Sequence, residues 1–195
     1  MAAEDGRHKR SEASRRKIIA AMVALVGEGD PAPAAEKIAA RAGVGLRTVF
    51  RQFADMEAIY AGMAERLADE YRNWLDPFTA TDWRGQLAEM IERRLETYER
   101  LMPYKRAADA HRHASATIQQ RHAVVVATMR ARLQGLLPPA IAGDEIGLET
   151  IDLMLSFETW QRLRLDQGLP VPRARMVVES AVARVLASHQ EEPAA

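Results

Sequence analysis

No segment of this chain alternates apolar and polar residues long enough to build a half-buried strand, whereas apolar residues return at three- and four-residue intervals along most of its length. Such a pattern buries helices against helices. The series Ile18, Ile19, Met22, Val23 and Val26 predicts a first helix running from Ser11, a candidate N-cap, to Gly27 and Gly29, which close it. After the connector Asp30 to Pro33, the good helix formers Ala35 to Ala42 predict a short second helix ending at Gly43, and Leu46 to Phe53 a third. In that third helix Leu46, Val49, Phe50 and Phe53 are expected on one side, leaving Arg47, Thr48 and Arg51 for another. Asp55 is placed to cap a fourth helix running toward Trp74, since Asp76-Pro77 interrupts beyond it. Further helices are expected over Asp82 to Met102, Tyr104 to His113, Ser115 to Leu137, Asp144 to Gln167 and Arg173 to His189. The fold class is all-α.

A length of 195 residues fits one compact unit or two small ones. The chain contains no cysteine, which excludes a disulfide scaffold, thiolate metal ligation and a cysteine nucleophile, and fits a reducing compartment. Its longest stretch without Asp, Glu, Lys or Arg is Leu133 to Gly143, interrupted by Pro138 and Pro139 and far short of the roughly 20 apolar residues of a membrane helix. No membrane partner is expected. Met1 to Lys9 holds no apolar core of a secretory signal, so a cytoplasmic location is expected.

Charge is balanced overall, with 27 Lys and Arg against 27 Asp and Glu. The balance is uneven along the chain. Residues 1–53 carry ten basic side chains and six acidic ones, a surplus of four that the remainder must offset. A basic N-terminal quarter on a neutral chain is what a polyanion-binding module attached to a neutral body would show; a solvated tail would show it too.

The stretch Ala35 to Tyr60 is the most informative. A helix ending in Ala42-Gly43-Val44 and followed at once by another short helix has the layout of a helix-turn-helix. Gly43 suits the left-handed turn, Val44 plugs inward and Ala39 is small enough for close packing. The second helix of such a pair would offer Arg47, Thr48 and Arg51 to the major groove: a guanine-reading fork, a hydroxyl and a phosphate partner. An ordinary helical hairpin shares this layout.

Residues 14–60 resemble the tetracycline-repressor (TetR) family of transcription regulators. The resemblance rests on Arg16 and Ile18-Ile19 opening the first helix, Gly29 after it, Ile38-Ala39, Ala42-Gly43-Val44, Thr48-Val49-Phe50 and Phe53. It implies a DNA-contacting set of Arg16, Lys17, Arg47, Thr48, Phe50 and Arg51. The chain departs from the family pattern at four places. Pro33-Ala34 stands where Ser or Thr caps the second helix, and Gly45 where Ser opens the recognition helix. Phe50 replaces a tyrosine whose hydroxyl meets a phosphate, and Met56 a lysine that also contacts phosphate. Two backbone contacts are thus missing, although the N-terminus of the fourth helix still suits an anion.

The expected organisation is residues 1–54 as N-terminal arm and DNA-binding domain, and residues 55–195 as ligand-binding and dimerisation domain, with the helix from Asp55 as connector. The segment Asp144 to Gln167 carries apolar residues on more than one stripe, and Arg173 to His189 adds Val177, Val178, Val182, Val185 and Leu186. Two such helices with surplus apolar face suggest pairing with a second copy into a four-helix interface, as the resemblance also implies. Trp83, Tyr98, Met102, Tyr104, Phe157 and Trp160 are candidates for an apolar pocket taking a small apolar or aromatic effector; plain core packing would use the same residues. His111, His113 and His122 lack ligand spacing, since i and i+2 point apart on a helix, and no metal or cofactor is expected. Gly27 to Ala32 fits a dinucleotide fingerprint only formally, because a helix precedes it and Pro31 breaks it. With no Gly-x-Ser-x-Gly, Walker loop or His-Glu-x-x-His, no catalytic residues are assigned.

These features lead to a dimeric, ligand-responsive DNA-binding regulator, most simply a repressor on a near-palindromic operator of double-stranded DNA. The alternatives are an all-α small-molecule carrier or enzyme whose N-terminal helices are a lid, and a dimeric protein-binding scaffold. A regulator would expose Arg47, Thr48 and Arg51 together. A lid would turn that face inward.

Overall fold

The computed structural model describes residues 2–113 and 115–189. Every regular element among them is helical: α1 (Ala2–Gly27), α2 (Ala35–Ala42), α3 (Leu46–Gln52), α4 (Met56–Arg66), a 3₁₀ segment (Ala68–Trp74), α5 (Trp83–Ala110), α6 (Ala116–Leu136), α7 (Pro139–Ala142), α8 (Glu145–Met154), α9 (Phe157–Gln161), a π turn (Arg162–Asp166) and α10 (Val171–Ser188). The all-α expectation holds.

The chain forms two compact units. Of the described residues, 2–70 and 101–122 make the first, and 71–100 with 123–189 make the second. This grouping follows packing, and so differs in kind from the functional partition at Asp55 read from the sequence. The first unit is built on Ile18, Met22, Leu25 and Val26 of α1, which pack with Ile38 of α2, Val49 of α3, and Ile59 and Met63 of α4. Ala107, Ala108 and Ile118, from the facing ends of α5 and α6, join the same core. The second unit packs Leu95 and Tyr98 of α5, Leu133 of α6, Ile151 of α8, Trp160 of α9 and Val178 of α10, all buried. Polar side chains fix the register there. The buried Arg94 donates to the Met129 carbonyl at 2.6 Å and lies 3.8 Å from Asp152, which links α5, α6 and α8. Glu99 accepts from Trp160 Nε1 at 3.0 Å and from Arg164 at 2.9 and 2.7 Å.

Several expected boundaries move, each for a local reason. α1 begins at Ala2, because no proline precedes Ser11 and the helix carries on through it. Ser11 is therefore not a cap; its hydroxyl donates to Gln52 Oε1 at 3.0 Å. α4 ends at Arg66 and the chain tightens into the 3₁₀ segment before Trp74. Pro103 interrupts nothing: α5 runs through it, with packed residues on both sides supporting the helix. The single helix expected over Asp144 to Gln167 breaks at Leu155-Ser156. There the Ser156 hydroxyl accepts from Thr159 N at 3.1 Å and the Thr159 hydroxyl donates to the Leu153 carbonyl at 2.6 Å, offering the backbone alternatives to helix.

Candidate nucleic-acid interface

The α2–α3 pair is set by backbone chemistry at two turns. Gly43 adopts φ +64°, its N–H donating to the Ala40 carbonyl at 3.2 Å while Val44 N–H donates to Ala39 at 3.0 Å. These two bonds close the end of α2 as a Schellman motif, which a residue with a Cβ would strain. Val44 then tucks against the core of the first unit. Gly45 precedes α3 in an extended conformation, φ −72° and ψ 150°, and its carbonyl accepts from Thr48 N at 2.8 Å. Neither Ala34 nor Gly45 supplies a side-chain cap.

Helix α3 is two turns long and is covered along one line only. Val49 is fully buried, as is Phe53 just past the helix, where α1 and α2 pack on it. The expected apolar side is otherwise overturned: Leu46 is 37% and Phe50 48% exposed. The reason is geometric. At about 100° per residue, Leu46 and Phe50 stand roughly 60° and 100° round from Val49, on the flank of a helix too short to meet a second neighbour there. Arg47 and Arg51 follow about 60° and 100° beyond Phe50 and are exposed. Thr48 lies on the opposite flank, half-buried. The outer face of α3 thus brings together Arg47, Arg51, Phe50 and Leu46, the last missed in the sequence because its side of the wheel was read as core.

The basic residues sort into two kinds. Lys37 pairs with Asp30 at 2.5 Å and Arg41 with Glu28 at 2.5 Å, and each cation holds its carboxylate below the ordinary range through that hydrogen bond. These pairs tie α2 to the end of α1 and its connector. Arg16, Lys17, Arg47 and Arg51 are exposed and make no ion pair among the described residues. Arg15 serves position: it donates to the Gln52 carbonyl at 3.1 Å and lies 4.2 Å over the Phe53 ring, bracing the end of α3 against α1. No sequence pattern separates Arg15 from its neighbours Arg16 and Lys17 except the fall of the helical face.

Asp55 caps α4 as expected, accepting from Ala58 N at 2.8 Å. Its carboxylate already occupies part of the anion-attracting helix start. Met56 is half-buried against the core.

The six effector candidates divide between the units. Met102 and Tyr104 belong to the first, where Tyr104 packs on the core and a Cβ on Gly27 would lie 2.6 Å from its hydroxyl. In the second unit Tyr98 donates to the Leu155 carbonyl at 3.0 Å and meets Phe157 edge-on at 5.6 Å. Burial pushes the Tyr98 hydroxyl pKa up. Trp160 is buried and bonded to Glu99. Trp83 is half-buried, with Arg84 4.3 Å over its ring. Of the histidines weighed as metal ligands, His111 stacks on Tyr60 at 3.9 Å.

No protein-family profile and no curated protein matches this chain. Solved structures do. A transcriptional regulator from Rhodococcus sp. Rha1 superposes with a TM-score of 0.70 at 14% identity, over 92% of this chain and 99% of that one. A protein assigned as a transcriptional regulator in Pseudomonas aeruginosa PAO1 gives 0.61 at 17% identity, over 94% of each chain. A TetR family transcription regulator from Marinobacter aquaeolei VT8 gives 0.50 at 18% identity, over 89% of this chain and 97% of that one. The order and packing of helices, shared over nearly the whole length with so little sequence in common, give this chain the fold of the TetR-like transcriptional regulators.

Proposed function

We propose that this chain is a DNA-binding transcription regulator that acts as a homodimer, with α3 as the helix that enters the major groove. The observation that carries the reading is the outer face of α3, where Arg47 and Arg51 stand exposed, with no ion pair among the described residues, on a helix positioned by the Gly43 turn. Exposed guanidinium groups on a short helix suit phosphate or a guanine edge. The lid alternative would hide this face, so its exposure favours the regulator. Arg16 and Lys17, exposed on α1, are the proposed backbone contacts.

Residues 1–54 form the proposed DNA-binding part and residues 55–195 the regulatory part, in a cytoplasmic protein with no catalytic role. In a dimer the two α3 helices would reach successive major grooves of a near-palindrome. A small apolar or aromatic effector that bound one spacing of the heads better than another would shift the population toward it, and repression is the simplest outcome. The test is binding to DNA from upstream of the protein's own gene, titrated with salt and competed with random duplex. Arg47→Ala is expected to cost about 1 to 3 kcal/mol on the specific site and much less on random DNA. Equal losses on both would make Arg47 a phosphate contact. Unchanged affinity on both would remove α3 from the interface.

A further inference from the structure

The exposed aromatic ring on α3 calls for an explanation that the two arginines do not supply. Phe50 is 48% exposed beside Leu46, its neighbour four residues back, at 37%. The two make one apolar strip along the flank of Arg47. On a free helix such a strip gains nothing from water. In the major groove its natural complement is the one apolar group that a base edge presents, the C5 methyl of thymine. The ring lies about 4.5 Å along the helix axis from Arg47, between one and two base-pair steps of about 3.4 Å. Lacking a hydroxyl, it has no hydrogen bond to offer a phosphate.

We propose that Phe50, backed by Leu46, reads the methyl group of a thymine one or two base pairs from the base that Arg47 reads. The inference rests on α3 being the helix in the groove, and it adds a specificity that the arginines alone do not provide. Arg47 sets where a guanine stands, and Phe50 sets which side of it must carry an A·T pair.

The experiment uses the full chain and a duplex that it selects from a randomised 30-base-pair pool. In that duplex each thymine is replaced in turn by deoxyuridine, which differs only by the missing methyl. One symmetric position is expected to lose about fourfold in affinity per half-site, the worth of one buried methyl. In Phe50→Ala the same replacement should cost nothing, while Phe50→Leu, which keeps apolar bulk, should retain part of the discrimination. A ring this exposed can be cut back without unfolding the helix, and circular dichroism checks that. If a sequence is selected but uracil is tolerated everywhere, or if the uracil penalty persists in Phe50→Ala, the inference is overturned and the regulator reading stands. If no sequence is enriched at all, both fall.

Discussion

At the scale of single residues, the starts of α2 and α3 lack a side-chain cap. Ala34 holds the extended conformation of an N-cap, φ −64° and ψ 150°, yet its methyl can accept nothing, and it is exposed. A hydroxyl there would take up an orphan N–H of the first turn of α2. Ala34→Ser is therefore expected to stabilise the protein by about 1 kcal/mol and to raise its melting temperature by about 2 to 4 °C. Calorimetry checks this; an unchanged or lower melting temperature would mean that the hydroxyl prefers water to the helix end. Gly45 offers a milder case, since its backbone is ordinary for any residue and a Cβ there would touch nothing within 4 Å. Gly43 is the opposite. Its positive φ makes the turn, and a side chain at that position would work against it.

At the scale of elements, one carboxylate gathers several donors of the loop before α5, which Gln86, Arg93 and Arg132 also tie down. Glu89 accepts from the Thr79 hydroxyl at 2.6 Å, from Thr79 N at 3.1 Å and from Ala80 N at 2.6 Å. These donors, led by the Thr79 hydroxyl, bring its pKa from 4.5 down to about 2. A carboxylate with a depressed folded-state pKa stabilises fully above its unfolded value and loses that contribution as pH falls through the folded one. Glu89→Gln should accordingly lower stability at neutral pH, with the difference from the native chain shrinking between about pH 4.5 and 2. Urea unfolding across that range measures it, and a deficit independent of pH would contradict the role of the charge. Helices were legible wherever apolar periodicity met a glycine or a capping side chain, as at Gly43, Asp55 and Ser115, whose hydroxyl accepts from Ile118 N at 3.3 Å. Interruptions were not. Pro103 looked like a stop but is carried by tertiary packing, whereas the real break depends on Ser156 and Thr159, polar residues common inside helices as well as at their ends. In the candidate interface the two arginines were legible from the motif, and Phe50 only from the resemblance, since the helical wheel put it on the apolar side. Leu46 was not legible, because a wheel gives direction and says nothing about whether a neighbour is present to cover it.

At the scale of the whole molecule, the proposed dimer depends on which apolar side chains the second unit leaves uncovered. Trp160, an effector candidate, and Val182, on the surplus apolar face of the last helix, are both buried within the chain's own core. Ile146 at 80% and Leu153 at 59% exposure on α8, with Met176 and Val177 on the adjoining α10, are not. Single exposed apolar residues are common on any surface, and Val124 and Val126 of α6, two apart and so pointing different ways, fit that description. The α8 pair sits seven residues apart on one stripe, and α10, which packs on α8, exposes two more apolar residues, the surplus that a second helix pair would cover. The chain is therefore expected to sediment as a dimer at micromolar concentration. Leu153→Glu combined with Met176→Glu should shift it to a folded monomer, since both side chains are already in solvent. Trp160→Glu should instead unfold it, by placing a charge in the core. A native monomer at that concentration would sink the dimer, and a doubly substituted chain that still pairs would move the interface to another face. Two half-sites bound together gain affinity that one cannot, so the folded monomer should lose most of its preference for a palindrome over a half-site while the Arg47 contribution per half-site stays the same.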